Sequence, residues 1–142
     1  MRVLSRRAAI AMTLLLAACA TPPAEVQHAQ VAEGRAREWL AQIDAGDYAG
    51  SWDTAARLFQ SRLSKQEWAA TAGRVQPGLG KLMSRELVAA KYTTAMPWEP
   101  PGEHVLVQYR AIYGRRALVE TLTMRYAADH QWRTVGYNIR WE

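Results

Sequence analysis

Glu120 is the residue whose type and surroundings most suggest chemistry. It lies in a run of alternating apolar and polar residues, which places it on the apolar face of a predicted strand, with Tyr109 and Tyr137 on the neighbouring strands. A carboxylate in apolar surroundings has a raised pKa and can act as a general base. The structural alternative is an ion pair with a helix arginine such as Arg57 or Arg74, or hydrogen bonds from tyrosine hydroxyls.

Four side chains of metal-binding type are expected at one end of the predicted sheet. Glu103 and His104 begin one strand, and Asp129 and His130 form the turn between two others. Imidazole and carboxylate groups bind zinc, but their spacing matches no metal signature, and loop ends collect polar residues in any case. The sequence therefore predicts no metal and no cofactor, and leaves these four residues as weak candidates.

Three arginines are predicted on the polar face of the sheet, on successive strands. Arg110, Arg125 and Arg140 can bind lipid headgroups, lipopolysaccharide phosphates or an acidic partner protein. The same face can instead be solvated or pair in a homodimer. The sequence has no Gly-rich phosphate loop, no Ser-His-Asp order and no nucleophilic Cys.

The N-terminal residues have the pattern of a bacterial lipoprotein signal. Three of the first seven residues are arginines, and the uncharged run over 8–18 is too short to span a hydrocarbon core. The run ends in Leu-Ala-Ala-Cys, which resembles the lipobox, where a peptidase cuts before the cysteine and the thiol receives a diacylglycerol. Lipidation of Cys19, the only cysteine, would anchor the chain, since each buried CH₂ contributes about 0.8 kcal/mol.

This interpretation divides the chain into a signal peptide over 1–18, a lipidated Cys and tether over 19–27, and one domain over 28–142. Ala20, rather than Asp, follows the cysteine, which by resemblance to lipoprotein sorting implies the periplasmic face of the outer membrane rather than the inner one. Three of the 18 basic residues lie in the signal and none of the 13 acidic ones do. The remaining domain is nearly neutral, which disfavours nucleic acid as a partner.

Periodicity predicts three helices followed by four strands. The first helix covers about 26–45, the second is capped by Asp47 and carries apolar side chains as far as Phe59, and the third runs from the Ser64 capping box to Pro77. The strands are predicted over 85–94, 104–113, 117–127 and 131–141. Tight connections between them predict an α+β fold with the helices on one face of a curved four-stranded antiparallel sheet.

The shortest hairpin turns predict a register for the last three strands. Tyr109 then faces Leu122, Leu122 faces Tyr137, and Glu120 faces Ile139. One face of the three strands is apolar throughout, and the other is mostly polar and can face water. The tryptophans of the helices, at helical spacing, are interpreted as core rather than as a ligand cage.

This arrangement resembles the cone-shaped, cystatin-like fold of the nuclear transport factor two-like superfamily, in which N-terminal helices close over a bent sheet. A closer resemblance, over roughly residues 35–140, is to an uncharacterised bacterial envelope family, domain of unknown function 4019. The matching positions are 39–44, Tyr48, Ser51, Trp52, Phe59, Trp68, 74–80, Arg85, 97–103, Glu120, Thr121 and 132–137. That resemblance implies the fold but brings no established activity.

Three functions follow from these observations. The first is a periplasm-facing lipoprotein whose domain binds an apolar small molecule, a lipid or another envelope protein. The second is an isomerase or hydrolase-type enzyme that uses Glu120 with tyrosines, as ketosteroid-isomerase relatives of the cone fold pair a carboxylate with tyrosine. The third is a structural subunit of an envelope assembly. An open cavity of about 300 Å³ or more at Glu120 favours the first two, and a core filled by Trp39, Trp52 and Trp68 favours the third.

Overall fold

The computed structural model describes residues 21–142, so the predicted signal over 1–18 and Cys19 lie outside the described residues. Within this range the helices precede the strands, and the strands form one antiparallel sheet in the order β1-β2-β3-β4, which confirms the α+β fold. The elements are α1 (Ala24–Asp44), α2 (Tyr48–Thr54), α3 (Arg57–Arg62), α4 (Lys65–Leu79), β1 (Leu82–Thr93), β2 (His104–Tyr113), β3 (Arg116–Tyr126) and β4 (Trp132–Trp141).

The first helix begins earlier than the sequence predicts. It starts at Ala24, so that the last part of the predicted tether over 19–27 is helical. Its buried side chains include Ala32, Ala36 and Leu40, which recur at helical spacing and place the predicted apolar stripe against the sheet. None of the helices within residues 21–142 is long and apolar enough to span a membrane.

The prediction of one helix from Tyr48 to Phe59 is wrong, because α2 and α3 are separated by two extended residues. Ala55 and Ala56 are both buried, and the Ala56 N–H donates to the Thr134 carbonyl of β4 at 2.9 Å. In a continuous helix that N–H would bond within the helix. The hydrogen bond to the sheet therefore takes precedence over the local apolar periodicity.

The fourth helix begins at the predicted capping box. The Ser64 hydroxyl accepts from the Glu67 N–H at 3.2 Å, and the Glu67 carboxylate accepts from the Ser64 N–H at 2.9 Å. Val75, which the helical spacing from Trp68 and Ala72 predicts on the inner face, is exposed. The reason is that α4 packs chiefly on the short α2, which leaves part of its C-terminal half uncovered.

The register of the sheet differs from the prediction between β2 and β3, and also between β3 and β4 beyond Thr123, where an irregularity shifts the pairing by one residue. Tyr109 pairs with Glu120 rather than with Leu122, whereas the predicted pairing of Leu122 with Tyr137 is confirmed. Gly114 supplies the positive φ of 59° that a two-residue hairpin turn needs between β2 and β3. Because side chains alternate along a strand, a shift of two residues leaves every side chain on its predicted face.

Aromatic rings fill the space between the helices and the sheet. The ring of Trp39 packs against Phe59, Trp68 and Tyr137 with centroids 5.4–6.3 Å apart. The Trp39 indole donates to the Ser51 carbonyl at 2.8 Å, and the Trp68 indole donates to the Ser51 hydroxyl at 2.9 Å. These tryptophans are core residues with satisfied N–H groups, as the sequence indicates.

Candidate functional site

Glu120 is fully buried, and its carboxylate is surrounded by donors. Arg85 donates through Nε at 2.5 Å and through Nη2 at 3.1 Å. The hydroxyls of Tyr137 and Tyr113 donate to Oε1 at 2.8 and 3.1 Å. We call these four residues, together with Asp44, the Arg85 network. Each carboxylate oxygen of Glu120 is thus already hydrogen-bonded.

The Arg85 network connects the end of α1 to the middle of the sheet. Arg85 also donates to both carboxylate oxygens of Asp44, at 2.6 and 3.0 Å, and to the Tyr113 hydroxyl at 3.0 Å. Asp44 is the last residue of α1, where the negative end of the helix dipole disfavours a carboxylate. The guanidinium of Arg85 offsets that unfavourable position as well as the buried charge of Glu120.

The strands position these side chains through their register. Arg85 pairs with Ala111, and Glu120 pairs with Tyr109 and Ile139, so both charged residues lie in the row that points towards the helices. From α4, the Gln76 amide donates to the Tyr137 hydroxyl at 3.3 Å. Side chains of three strands therefore meet at the Glu120 carboxylate, and helix residues contact two of them from the other side of the core.

Burial and charge set the protonation states in the Arg85 network. Burial by itself would lower the pKa of Arg85, but hydrogen bonds and charges from Asp44 and Glu120 outweigh it and raise that pKa above its usual value. Burial, followed by the negative charge of Glu120, raises the pKa of Tyr113 and of Tyr137. At neutral pH the arginine is charged and both tyrosines keep their protons, so all three act as donors. This geometry supports a structural role for Glu120 over a general base.

The sequence predicted an ion pair between Glu120 and an arginine, but it named the wrong arginines. Arg85 of β1 takes the place that the sequence suggested for Arg57 or Arg74. Tyr137 contacts Glu120 as predicted, but Tyr109 does not, because its hydroxyl donates to Glu33 of α1 at 2.7 Å. Burial and then this hydrogen bond raise the pKa of Tyr109. The sequence missed Asp44 and Arg85 because no register was predicted for β1.

His104, one of the two histidines among the metal candidates, has both ring nitrogens engaged. Arg125 can only donate, so His104 Nε2 accepts from it at 3.1 Å, and Nδ1 must then carry the proton and donate to the Gly102 carbonyl at 3.0 Å. His104 is fully buried beneath the loop that precedes β2. Burial, reinforced by the charge of Arg125, lowers its pKa even though the bond to Gly102 raises it.

Two of the other three metal candidates bind other side chains. Glu103 accepts from the Tyr92 hydroxyl at 2.9 Å, and Asp129 pairs with Arg133. His130 takes a positive φ of 59° in the β3–β4 turn. Within residues 21–142 no three side chains of His, Cys, Asp or Glu are grouped as metal ligands would be.

The three arginines of the outer face do not form one patch. Arg110 and Arg140 both pair with Val119, so they lie two strands apart, about 10 Å. Arg110 is neutralised by Glu142 at 2.9 Å. Arg125 lies six residues further along β3, about 20 Å away, and binds the loop that precedes β2. A shared anion site for all three is therefore not supported.

A groove between α1 and β1 was not anticipated from the sequence. We call it the α1–β1 groove; it has a volume of about 590 Å³. Its lining residues are Glu25, Val26, Ala29, Gln30, Glu33, Leu87, Val88, Ala89, Ala90, Lys91 and Tyr92. Leu87 pairs with Tyr109 and so faces the helices, yet its side chain is 45% exposed. Glu120 does not line this groove.

Most of the chain matches one protein family. Residues 35–137 match the family described as protein of unknown function (DUF4019). The chain belongs to this family. No curated protein and no solved structure matches the chain. The family assignment confirms the resemblance that was found in the sequence, and the relation to the nuclear transport factor two-like superfamily stays a prediction.

A first prediction concerns the Arg85 network. Glu120→Gln removes the fully buried partner of Arg85 and leaves the partly exposed Asp44 as its counter-ion. Because the charge-assisted hydrogen bonds in the core are lost, we expect the free energy of unfolding to fall by about 3 kcal/mol. Glu142→Gln removes an exposed pair with Arg110 and serves as the control, with an unchanged urea midpoint. A Glu120→Gln variant of full stability that loses a ligand or an activity would show that the carboxylate is functional instead.

A second prediction concerns the pH dependence of stability. The unfolded chain protonates His104 near pH 6.5, whereas the folded protein resists protonation to lower pH because the pKa is lowered. The resulting stability is complete above about pH 6.5 and is lost as the pH falls towards the folded pKa. In His104→Gln, urea midpoints between about pH 7.5 and pH 5.5 should fall less than in wild type. His130→Gln, at an exposed position, should keep the wild-type profile; parallel profiles for all three proteins would contradict the prediction.

Proposed function

We propose that this chain is a lipoprotein of the cell envelope, lipidated at Cys19 and held on the periplasmic face of the outer membrane, whose domain binds an apolar small molecule in the α1–β1 groove. The Arg2, Arg6 and Arg7 cluster, the short uncharged run and the Leu-Ala-Ala-Cys sequence support the anchor. The groove supports the binding role.

The observation that carries the binding role is aliphatic surface that lines the groove but remains in water. Leu87 is 45% exposed and Val88 is 62% exposed, and Val26 of α1 faces them across the groove. Burying such surface is favourable by about 25 cal/mol per Å². A volume of about 590 Å³ lies in the range of small-molecule sites.

The shape of the groove indicates an elongated ligand. It follows α1 from Glu25 to Glu33, a rise of about 12 Å. Its wall is aliphatic, and its charged residues, Glu25, Glu33 and Lys91, are few. We therefore propose a ligand with a hydrocarbon chain, such as a lipid, rather than a compact polar metabolite.

The enzyme hypothesis for Glu120 fits the geometry less well. A general base needs a free lone pair within reach of a substrate proton, whereas the carboxylate oxygens of Glu120 accept from Arg85, Tyr113 and Tyr137. The assembly-subunit hypothesis is favoured by one observation, the filling of the core by Trp39 and Trp68. It predicts that a protein partner, and no small molecule, accompanies the chain from the membrane.

A third prediction tests the groove. Leu87→Asp places a charge in its wall, so the binding of an apolar fluorescent probe such as N-phenyl-1-naphthylamine should weaken at least tenfold, about 1.4 kcal/mol. Met83→Asp is the matched control, because Met83 is an exposed apolar residue of the same strand, 61% exposed, that does not line the groove. Equal probe affinity in both variants, measured by fluorescence titration, would contradict the proposed site.

A fourth prediction tests the anchor. Protein recovered from membranes should carry a diacylglycerol on Cys19 as its first residue, detected by intact-mass spectrometry. Cys19→Ser should leave the chain unlipidated and release it from the membrane fraction, because the acyl chains supply the attachment. A mature protein that begins at another residue and bears no lipid would exclude the lipoprotein assignment.

A further inference from the structure

Trp98 is the most exposed large apolar side chain of the described residues. It lies in the loop over 94–103 that joins β1 to β2, which we call the Trp98 loop, and its side chain is 98% exposed. Tryptophan is ordinarily buried for most of its surface. Its indole ring combines an apolar body with one N–H donor, which suits a boundary between apolar and aqueous surroundings.

The Trp98 loop is held in place by the residues that directly follow the tryptophan. The carboxylate of Glu99 accepts from both terminal nitrogens of Arg62 of α3, at 2.8 and 3.1 Å. Arg125 of β3 donates to the carbonyls of Pro100 and Pro101, each at 2.9 Å. These contacts fix the loop, and with it the position of the exposed ring.

The tip of the loop carries no charge that would oppose contact with lipid. Residues 92–98 include no charged side chain. Of the two carboxylates that follow, Glu99 pairs with Arg62, and Glu103 accepts from the Tyr92 hydroxyl. The tip of the loop around Trp98 is therefore uncharged, and the carboxylate next to it is neutralised by an arginine.

The Trp98 loop lies at the same end of the domain as the start of α1. His28, in the second turn of α1, stacks on Tyr92 with ring centroids 5.4 Å apart, and Tyr92 lies just before the loop. Asp44, at the other end of α1, contacts Arg85 near the beginning of β1. The β2–β3 turn at Gly114 thus lies about 30 Å from the loop, at the opposite end of the sheet.

The lipid attachment point is close to this end. Only residues 20–23 separate Cys19 from the first residue of α1, and five extended steps of the chain span at most about 18 Å. A lipid on Cys19 therefore keeps the start of α1, and the loop beside it, near the bilayer surface. The far turn at Gly114 cannot reach the bilayer in the same orientation.

We propose that Trp98 inserts into the headgroup region of the bilayer that holds the Cys19 lipid, and so fixes the orientation of the domain on the membrane. The proposal rests on the lipidation of Cys19 that is part of the proposed function. Tryptophan concentrates at membrane–water interfaces, and the tether and the uncharged tip bring this tryptophan there. With this end of the domain on the membrane, the α1–β1 groove opens close to the lipid surface.

The test uses a reporter on the same loop in the full lipidated protein. Cys19 is the only cysteine of the chain and is blocked by its lipid, so a thiol-reactive fluorophore labels only an introduced cysteine. Ala95→Cys places the label on the Trp98 loop, and Arg115→Cys places a control label on the distant turn; both positions are exposed. The proteins are reconstituted into phosphatidylethanolamine and phosphatidylglycerol vesicles.

The expected result is a blue-shifted emission at position 95 that is quenched by nitroxide lipids, and an emission at position 115 that only aqueous iodide quenches. Adding Trp98→Ala to Ala95→Cys should bring the lipid quenching down towards that of the control. The unfolding midpoint should not change, because the replaced side chain makes little packing contact.

Three other outcomes would overturn the proposal, and they are distinguishable. A label at position 95 that stays aqueous on protein with lipidated Cys19 excludes the insertion alone. A blue shift without quenching by nitroxide lipids indicates contact with a second copy or another protein. Labelling of Cys19 itself shows a free thiol, in which case the proposed anchor fails and the insertion fails with it.

Discussion

Arg85 connects the last residue of α1 to the centre of the sheet, and the packing of the domain depends on this buried cation. Its guanidinium binds Asp44 and Glu120 together, so one largely buried positive charge faces two carboxylates, and tyrosine hydroxyls supply further donors to Glu120. Loss of Arg85 would leave the buried carboxylate of Glu120 without a counter-ion. Because hydrogen bonds to charged groups are directional, the network also holds the C-terminal end of α1 in place on the sheet.

The space between the helices and the sheet is divided into a closed and an open region. The aromatic rings around Trp39 fill the space between the helices and the strands β2 to β4. Along β1 the helix covers the sheet incompletely, and Leu87 and Val88 remain accessible in the α1–β1 groove. The residue that first suggests catalysis, Glu120, therefore stabilises the closed region, and the binding surface is formed by aliphatic side chains without distinctive chemistry.

Sequence patterns predicted some features of the fold correctly and failed at others. Alternation placed the β3 side chains on the correct face although the β2–β3 register was displaced by two residues, since alternation has a period of two. Helical periodicity failed at Ala55 and Ala56, where a hydrogen bond to Thr134 replaces the helical one. Strand alternation did not distinguish Tyr109 from Tyr137. The Tyr109 hydroxyl donates to Glu33, whereas the Tyr137 hydroxyl donates to Glu120.

The sequence by itself determined the order of elements, the inward face of the sheet, the capping box at Ser64 and the lipobox pattern at Cys19, because each depends on residues that are close along the chain. The tertiary structure alone decided that Arg85 is the partner of Glu120, that a groove opens beside Leu87, and that Trp98 projects into solvent. These features join residues that are distant in sequence, or depend on which surfaces another element covers. Such contacts follow from strand register, helix angle and the path of loops, which local periodicity does not encode.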